Sequence, residues 1–262
     1  MAMFTDSILQ IINTKTLLIT LLSVISTFAC RIIGFEADLP ITFVMSAVVF
    51  PIVFSINAAY TRRENALDRY GTLKATGQAI FYLARDWQTQ KNDSWLTDIG
   101  TTIVEIVEKT KKLLMSEEES LREQEIYVYQ NFSKLSDLIA QGSGNYYLEK
   151  NQASLCNSHL KEMLFAFETI KHIFQYRTPT TLRTFSRIFI TALPILYAPY
   201  FAFVSSGFGF VLVIMMPTLF TVTLASLDNI QTHLENPFDQ VGEDDISINV
   251  EYFSRRLQKK PS

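Results

Sequence analysis

The chain has 262 residues, 48% of them hydrophobic and only 19% charged, against roughly 25% charged in an average globular domain. Its 23 Lys and Arg against 26 Asp and Glu leave a net charge of −3, which excludes recognition of nucleic acid by bulk charge. Ample apolar material excludes disorder, and two cysteines, Cys30 and Cys156, cannot build a disulfide framework.

The charges are unevenly placed. Thr16–Cys30 is uncharged, and Ile32, Ile33, Gly34 and Phe35 extend it past Arg31, whose stem can snorkel. No small-residue cleavage pattern follows, so a retained membrane span is expected rather than a signal peptide. Leu39–Tyr60 adds 22 uncharged residues; a bilayer core of ~30 Å needs ~20. Within it Ser46, Phe50 and Phe54 stand at i, i+4 and i+8, on one helical face. Such a stripe either lines a pore or packs against neighbouring spans.

Residues 61–187 carry 17 of the 23 basic and 16 of the 26 acidic residues. Their apolar residues recur at helical spacing, the longest stripe being Leu160, Met163, Leu164, Phe167, Ile170 and Phe174. No proline lies between Pro51 and Pro179, which suits long helices. Ile188–Leu227 then runs 40 residues without a charge. One helix of that length would reach ~60 Å, so two spans are expected, broken at Ser205-Ser206-Gly207. A soluble core helix can be apolar all round, but 40 such residues do not fit a soluble chain of 30.0 kDa. Arg62, Arg63, Arg177, Arg183 and Arg187 flank the charged segment, and the short loops at 31–38 and 205–209 hold only Arg31. The positive-inside rule therefore puts the segment and both termini on the cytoplasmic side. The expected organisation is 1–60 with two spans, 61–187 as a cytosolic helical domain, 188–227 with two spans, and 228–262 as an acidic tail.

Asp228 to Glu251 holds seven acidic and no basic residues. Asp239, Glu243, Asp244 and Asp245 either collect a hard cation or form a solvated strap; EF-hand spacing is absent. His159, His172 and His233 show no zinc spacing. No phosphate loop or nucleophile motif is present, and no enzyme is expected.

Three segments resemble the bestrophin family of anion channels, including its compact prokaryotic-type members. Phe54-Ser55-Ile56-Asn57-Ala58-Ala59-Tyr60-Thr61-Arg62 is similar to the family's F-R-x-N-x-A-Y-D-R stretch. Glu168-Thr169-Ile170-Lys171 with Arg177-Thr178-Pro179 is similar to E-R-I-K…T-P. Leu227-Asp228-Asn229-Ile230, Leu234-Glu235-Asn236-Pro237-Phe238 and Asp244-Asp245-Ile246 are similar to L-D-x-I-x-x-x-L-E-x-P-F…D-L. Ser55 and Thr61 depart from the pattern, and the tail has one residue more.

The resemblance implies an all-α membrane protein in the cell membrane, with four transmembrane helices per subunit and a long-helix cytosolic domain. It implies a homopentamer in the lipid bilayer that passes chloride or similar anions through a central pore. Ser46, Phe50 and Phe54 match the hydrophobic neck, with Ser46 departing from its apolar pattern. A cytosolic aperture falls near Ser154 and Leu155. In calcium-gated members, carboxylates lie five and eight residues past the position of Asn236; here those are Val241 and Asp244. A clasp of Asn236, Asp244 and Asp245 thus lacks one carboxylate, and calcium is expected to have little direct effect. A non-conducting scaffold on the same fold is one alternative. A secondary transporter with helices broken at Pro194, Pro199 and Pro217 is the other.

Overall fold

The computed structural model describes residues 12–116, 120–176, 180–207, 209–235, 237–238 and 245–257, apart from the side chains of Phe43, Thr180, Leu182, Arg183 and Ser186. These residues form helices α1 (Thr14–Ile33), α2 (Ile41–Asp86), α3 (Asp93–Leu114), α4 (Leu121–Gly144) and α5 (Lys150–Gln175). α6 (Thr180–Leu196), α7 (Ala198–Ser205), α8 (Phe210–Glu235) and α9 (Val250–Arg256) follow, with no strand among the described residues.

The chain divides into two compact units. One holds α1, α2 as far as Arg63, and α6–α8; the other holds the rest of α2, α3–α5, Phe238 and the segment with α9. Among the described residues three helices, α1, α2 and α8, are long and apolar enough to cross a membrane. α6 and α7 are bent by 40° at their junction and make a fourth span if they act as one. The chain is an integral membrane protein by these helices.

In the first unit α1 packs against α6, α7 and α8. Asn13 caps its start by accepting from the Thr16 N–H. Gly34, at φ 74°, ends it in a left-handed turn, and Phe35 N–H returns to the Cys30 carbonyl at 2.9 Å. The sides of α1 are inverted relative to a soluble helix. Thr16, Ser23 and Thr27 are buried with Ile19, while Leu17, Leu18, Leu21, Leu22 and Ile25 are exposed. Small hydroxyl residues let helices approach closely in hydrocarbon, and leucines suit lipid.

The uncharged run Ile188–Leu227 does turn at Ser206 and Gly207, but it breaks earlier as well, between α6 and α7 at Tyr197. Pro199 has no N–H to continue the ladder. Ser23 of α1 donates its hydroxyl to the Pro194 carbonyl at 2.7 Å, a buried bond. Ser23→Ala should therefore destabilise the protein by about 1–3 kcal/mol, the cost of an unmet buried carbonyl. Thermal unfolding in detergent checks this, with exposed Ser206→Ala as the silent control.

The charge pattern predicts that the second span ends at Tyr60. The helix that carries this span continues unbroken beyond it to Asp86, because Arg62, Arg63 and Glu64 are polar without being helix breakers. The second unit's core contains Leu73 and Ile80 of α2, Ile99, Ile103 and Ile106 of α3, Leu135 of α4, and Met163, Phe167 and Ile170 of α5. Segment 228–262 is expected as an acidic tail, yet Phe238, Ile246, Ile248, Phe253 and Leu257 belong to this core.

Candidate pore-lining site

The stripe at Ser46, Phe50 and Phe54 lies on α2, in the first unit. The opposite side of the helix is anchored: Val48, Ile52, Ser55 and Ala59 are buried, and Val48 and Ile52 pack with Ile190, Leu193, Tyr197, Phe201 and Leu224. That anchoring leaves the stripe outward. Phe50 is 62% exposed and Phe54 69%. Ser46 is exposed too, and its hydroxyl donates to the Thr42 carbonyl at 2.9 Å. Asn57 and Thr61 continue the exposed side, with the Thr61 hydroxyl bonded to the Asn57 carbonyl at 2.9 Å. From Thr42 to Thr61 this side of the helix carries no charge. Two large aromatic rings beside small polar groups, on a helix fixed from behind, form a surface that one chain alone does not cover.

Ser154 and Leu155 lie near the start of α5, in the second unit. Both are exposed, Leu155 by 52%, and the Ser154 carbonyl accepts from the Ser158 hydroxyl at 3.1 Å. Asn236 and Asp244 lie outside the described residues, as do Asp239, Val241 and Glu243. Asp245 is described but follows that gap. Among the described residues no group of three His, Cys, Asp or Glu side chains is placed to hold a metal.

Two polar clusters escape a sequence reading. In the first, Lys15 Nζ meets Asp228 Oδ2 at 2.8 Å. Beside it Asn13 donates to Asn229 Oδ1 at 3.1 Å, and Asn229 donates to Thr16 Oγ1 at 3.2 Å. The Asp228-Asn229 pair thus ties the end of α8 to the start of α1. In the second, Lys171 donates to Glu125 and contacts Glu168, both at 2.9 Å, and to the Tyr129 hydroxyl at 2.6 Å. The Tyr129 hydroxyl in turn donates to Glu168.

Burial works against both charges of the Glu168–Lys171 pair, but their hydrogen bonds outweigh it. Glu168 is held below the usual carboxylate value by Tyr129 and Lys171. Lys171 is held above the usual ammonium value by Tyr129, Glu168 and Glu125. The Glu168 contribution is present above its unfolded value and is lost as pH falls through the folded one. The Lys171 contribution is complete below its unfolded value and is lost as pH rises through the folded one. Stability should therefore be level between about pH 5 and about pH 10 and fall on both sides. Melting curves of the protein and Glu168→Gln across pH check this; the variant should lose part of the acid-side fall.

No protein-family model matches the chain in sequence, and no curated protein matches it. Solved structures do match it in shape. A crystal structure of a bacterial Bestrophin homologue from Klebsiella pneumoniae, phased with zinc, superposes with a TM-score of 0.75 at 17% identity, covering 93% of this chain and 96% of that one. A point variant of that homologue gives a TM-score of 0.76 at 17% identity with the same coverage. A structure described as a variant membrane protein gives 0.76 at 18% identity, covering 94% and 97%. The chain has a bestrophin-like fold.

Proposed function

We propose that the chain is one subunit of an anion channel that passes chloride or similar anions down their gradient. The observation that carries this reading is the uncharged, Phe-bearing side of α2, exposed while Val48, Ile52, Ser55 and Ala59 of the same stretch are buried. Five copies around an axis would turn Phe50 and Phe54 into two aromatic rings. Phenyl edges are electropositive and favour an anion over a cation, and a narrow apolar ring gates by dewetting. Ser46 wets one end of that neck. Ser154 and Leu155 form a second narrowing in the cytosolic domain. Four spans, with α6 and α7 as one, put both termini on the cytoplasmic side of the cell membrane.

Purified protein in liposomes tests the reading. Native mass in detergent should give five copies of 30.0 kDa, and chloride efflux should follow the gradient alone. A monomer, or a pentamer without flux, supports the scaffold; flux driven by a sodium or proton gradient supports the transporter. Calcium is not the proposed trigger, because Val241 lacks the carboxylate the clasp requires. Flux should stay level from nanomolar to millimolar calcium, and steep micromolar activation abolished by Asp244→Ala or Asp245→Ala would reverse this.

A further inference from the structure

Within the first unit, α2, α7 and α8 line an apolar cavity of about 370 Å³. Ile41 and Met45 of α2, one turn apart, form one wall. Met216, Leu219 and Thr223 of α8 follow one another by steps of three and four, so one side of that helix forms another. Phe201 of α7 lies on the inner side and is 3% exposed. It is set edge-on against Phe220, with ring centroids 5.2 Å apart. The depth of the cavity is therefore a fixed aromatic surface.

The lining selects the occupant. Among the described residues that form it none is charged, and the polar side chains are Tyr200 and Thr223. The Thr223 hydroxyl is engaged by its own helix, donating to the Leu219 carbonyl at 2.8 Å. One remaining hydroxyl does not orient an ion, and a space walled by apolar groups stays dry. Its size is that of a small-molecule site. Met45 and Met216 are unbranched and adjust to an irregular apolar guest. The rim opens outward. Leu219 is 59% exposed, and Val211 and Met215 of the same helix are 64% and 48% exposed. The three stand at intervals of four, so the mouth continues an apolar stripe of α8, one of the membrane-crossing helices. Along that stripe a bilayer supplies hydrocarbon.

We propose that this cavity is a binding site for one acyl chain of a bilayer phospholipid, which enters past Leu219 and lies against Phe201 and Phe220. The inference needs only that these helices lie in a membrane, not that the protein conducts. Left unfilled, the walls lack partner atoms on one side and forgo their dispersion contacts. The bound chain completes the packing around Ile41 and Met45, which the core holding Val48 and Ile52 buries only in part. The lipid thereby becomes a removable piece of the contact between α2 and the helices behind it.

The test uses the full chain, stripped of lipid in detergent and titrated with a phosphatidylcholine that carries a photoreactive diazirine on one acyl chain. Mass spectrometry locates the adducts after irradiation. Those on Tyr200 and Met216 should level off at a low ratio of lipid to protein. Those on Leu21 and Leu22 of α1, which are 57% and 50% exposed, should keep rising as a non-specific annulus forms. The melting temperature should rise saturably with the same lipid. Leu219→Trp and Thr223→Phe, both at exposed positions, put a ring into the mouth. Each should lower the adducts on Tyr200 and Met216 about tenfold by steric exclusion, flatten the melting response and leave Leu21 unchanged. Two variants keep the test sharp if one folds poorly. Adducts that rise in parallel at Tyr200 and Leu21 would reduce the site to ordinary lipid contact and overturn the assignment. So would labelled Leu21 beside unlabelled Tyr200 and Met216, the result expected if a second copy of the chain covers the mouth. Full labelling of Tyr200 in both variants would overturn it as well.

Discussion

Phe50→Ala and Phe54→Ala are each expected to raise anion flux per folded channel severalfold and to weaken gating. A dewetting constriction depends on the width and apolarity of its narrowest ring. Alanine removes the phenyl and opens that ring to water. The same change should cost the folded chain less than about 1 kcal/mol, the ordinary scale for exposed positions. The rings are 62% and 69% exposed, so truncation leaves no cavity inside the subunit; a buried Phe→Ala costs about 3–5 kcal/mol. Ser46→Leu should act in the opposite sense and reduce flux, because it would extend the proposed apolar neck by one ring. The measurements are single-channel current or liposome efflux together with thermal unfolding. Unchanged flux with a loss of several kcal/mol would mean that the rings pack against another surface and line no pore.

Gly142→Ala should destabilise the second unit by about 2 kcal/mol net. A Cβ on Gly142 would stand 2.5 Å from Cζ2 of Trp95, well inside contact distance. Trp95 has little room to move. It is 4% exposed, its ring lies against Tyr147, and its indole N–H donates to the Leu138 carbonyl at 2.9 Å. Making room pushes α4 away from α3 and costs the indole its bond. Overpacking costs about 1–3 kcal/mol and the bond about 1, offset by about 1 from replacing glycine in a helix. Gly71→Ala provides the opposite sign, since nothing lies within 4 Å of that position in α2; the gain there should be up to about 1 kcal/mol. Melting temperatures of the two variants should move in opposite directions.

The membrane helices were largely legible because absence of charge is a composition signal that survives without neighbours. The stripe on α2 was legible for a similar reason, since its spacing is local. Which side of α2 faces away from the core was not, because that is decided by Ile190, Leu193 and Leu224, far along the chain. The bend at Tyr197 had a visible cause in Pro199, but membrane helices tolerate proline, and the Ser23 hydroxyl that meets Pro194 comes from another helix. The Lys15–Asp228 pair joins residues 213 apart and leaves no local pattern. The tail misled most. Its acidic residues dominate any window, while Phe238, Ile246, Ile248, Phe253 and Leu257 are spread too thinly to show a period.

The interruption of the second unit by α6–α8 bears on how the chain is made. Its core draws on α2 to α5 and then on Phe238 to Leu257, so the ribosome delivers one part, then the apolar helices, then the remainder. Ile99, Ile103 and Gly100 emerge early, but α9, which packs on their helix, comes last. The soluble-type core therefore stays incomplete until the final spans have been synthesised. A nascent chain stalled before residue 245 presents apolar surface to chaperones and proteases, which couples completion of this unit to successful insertion of the helices before it.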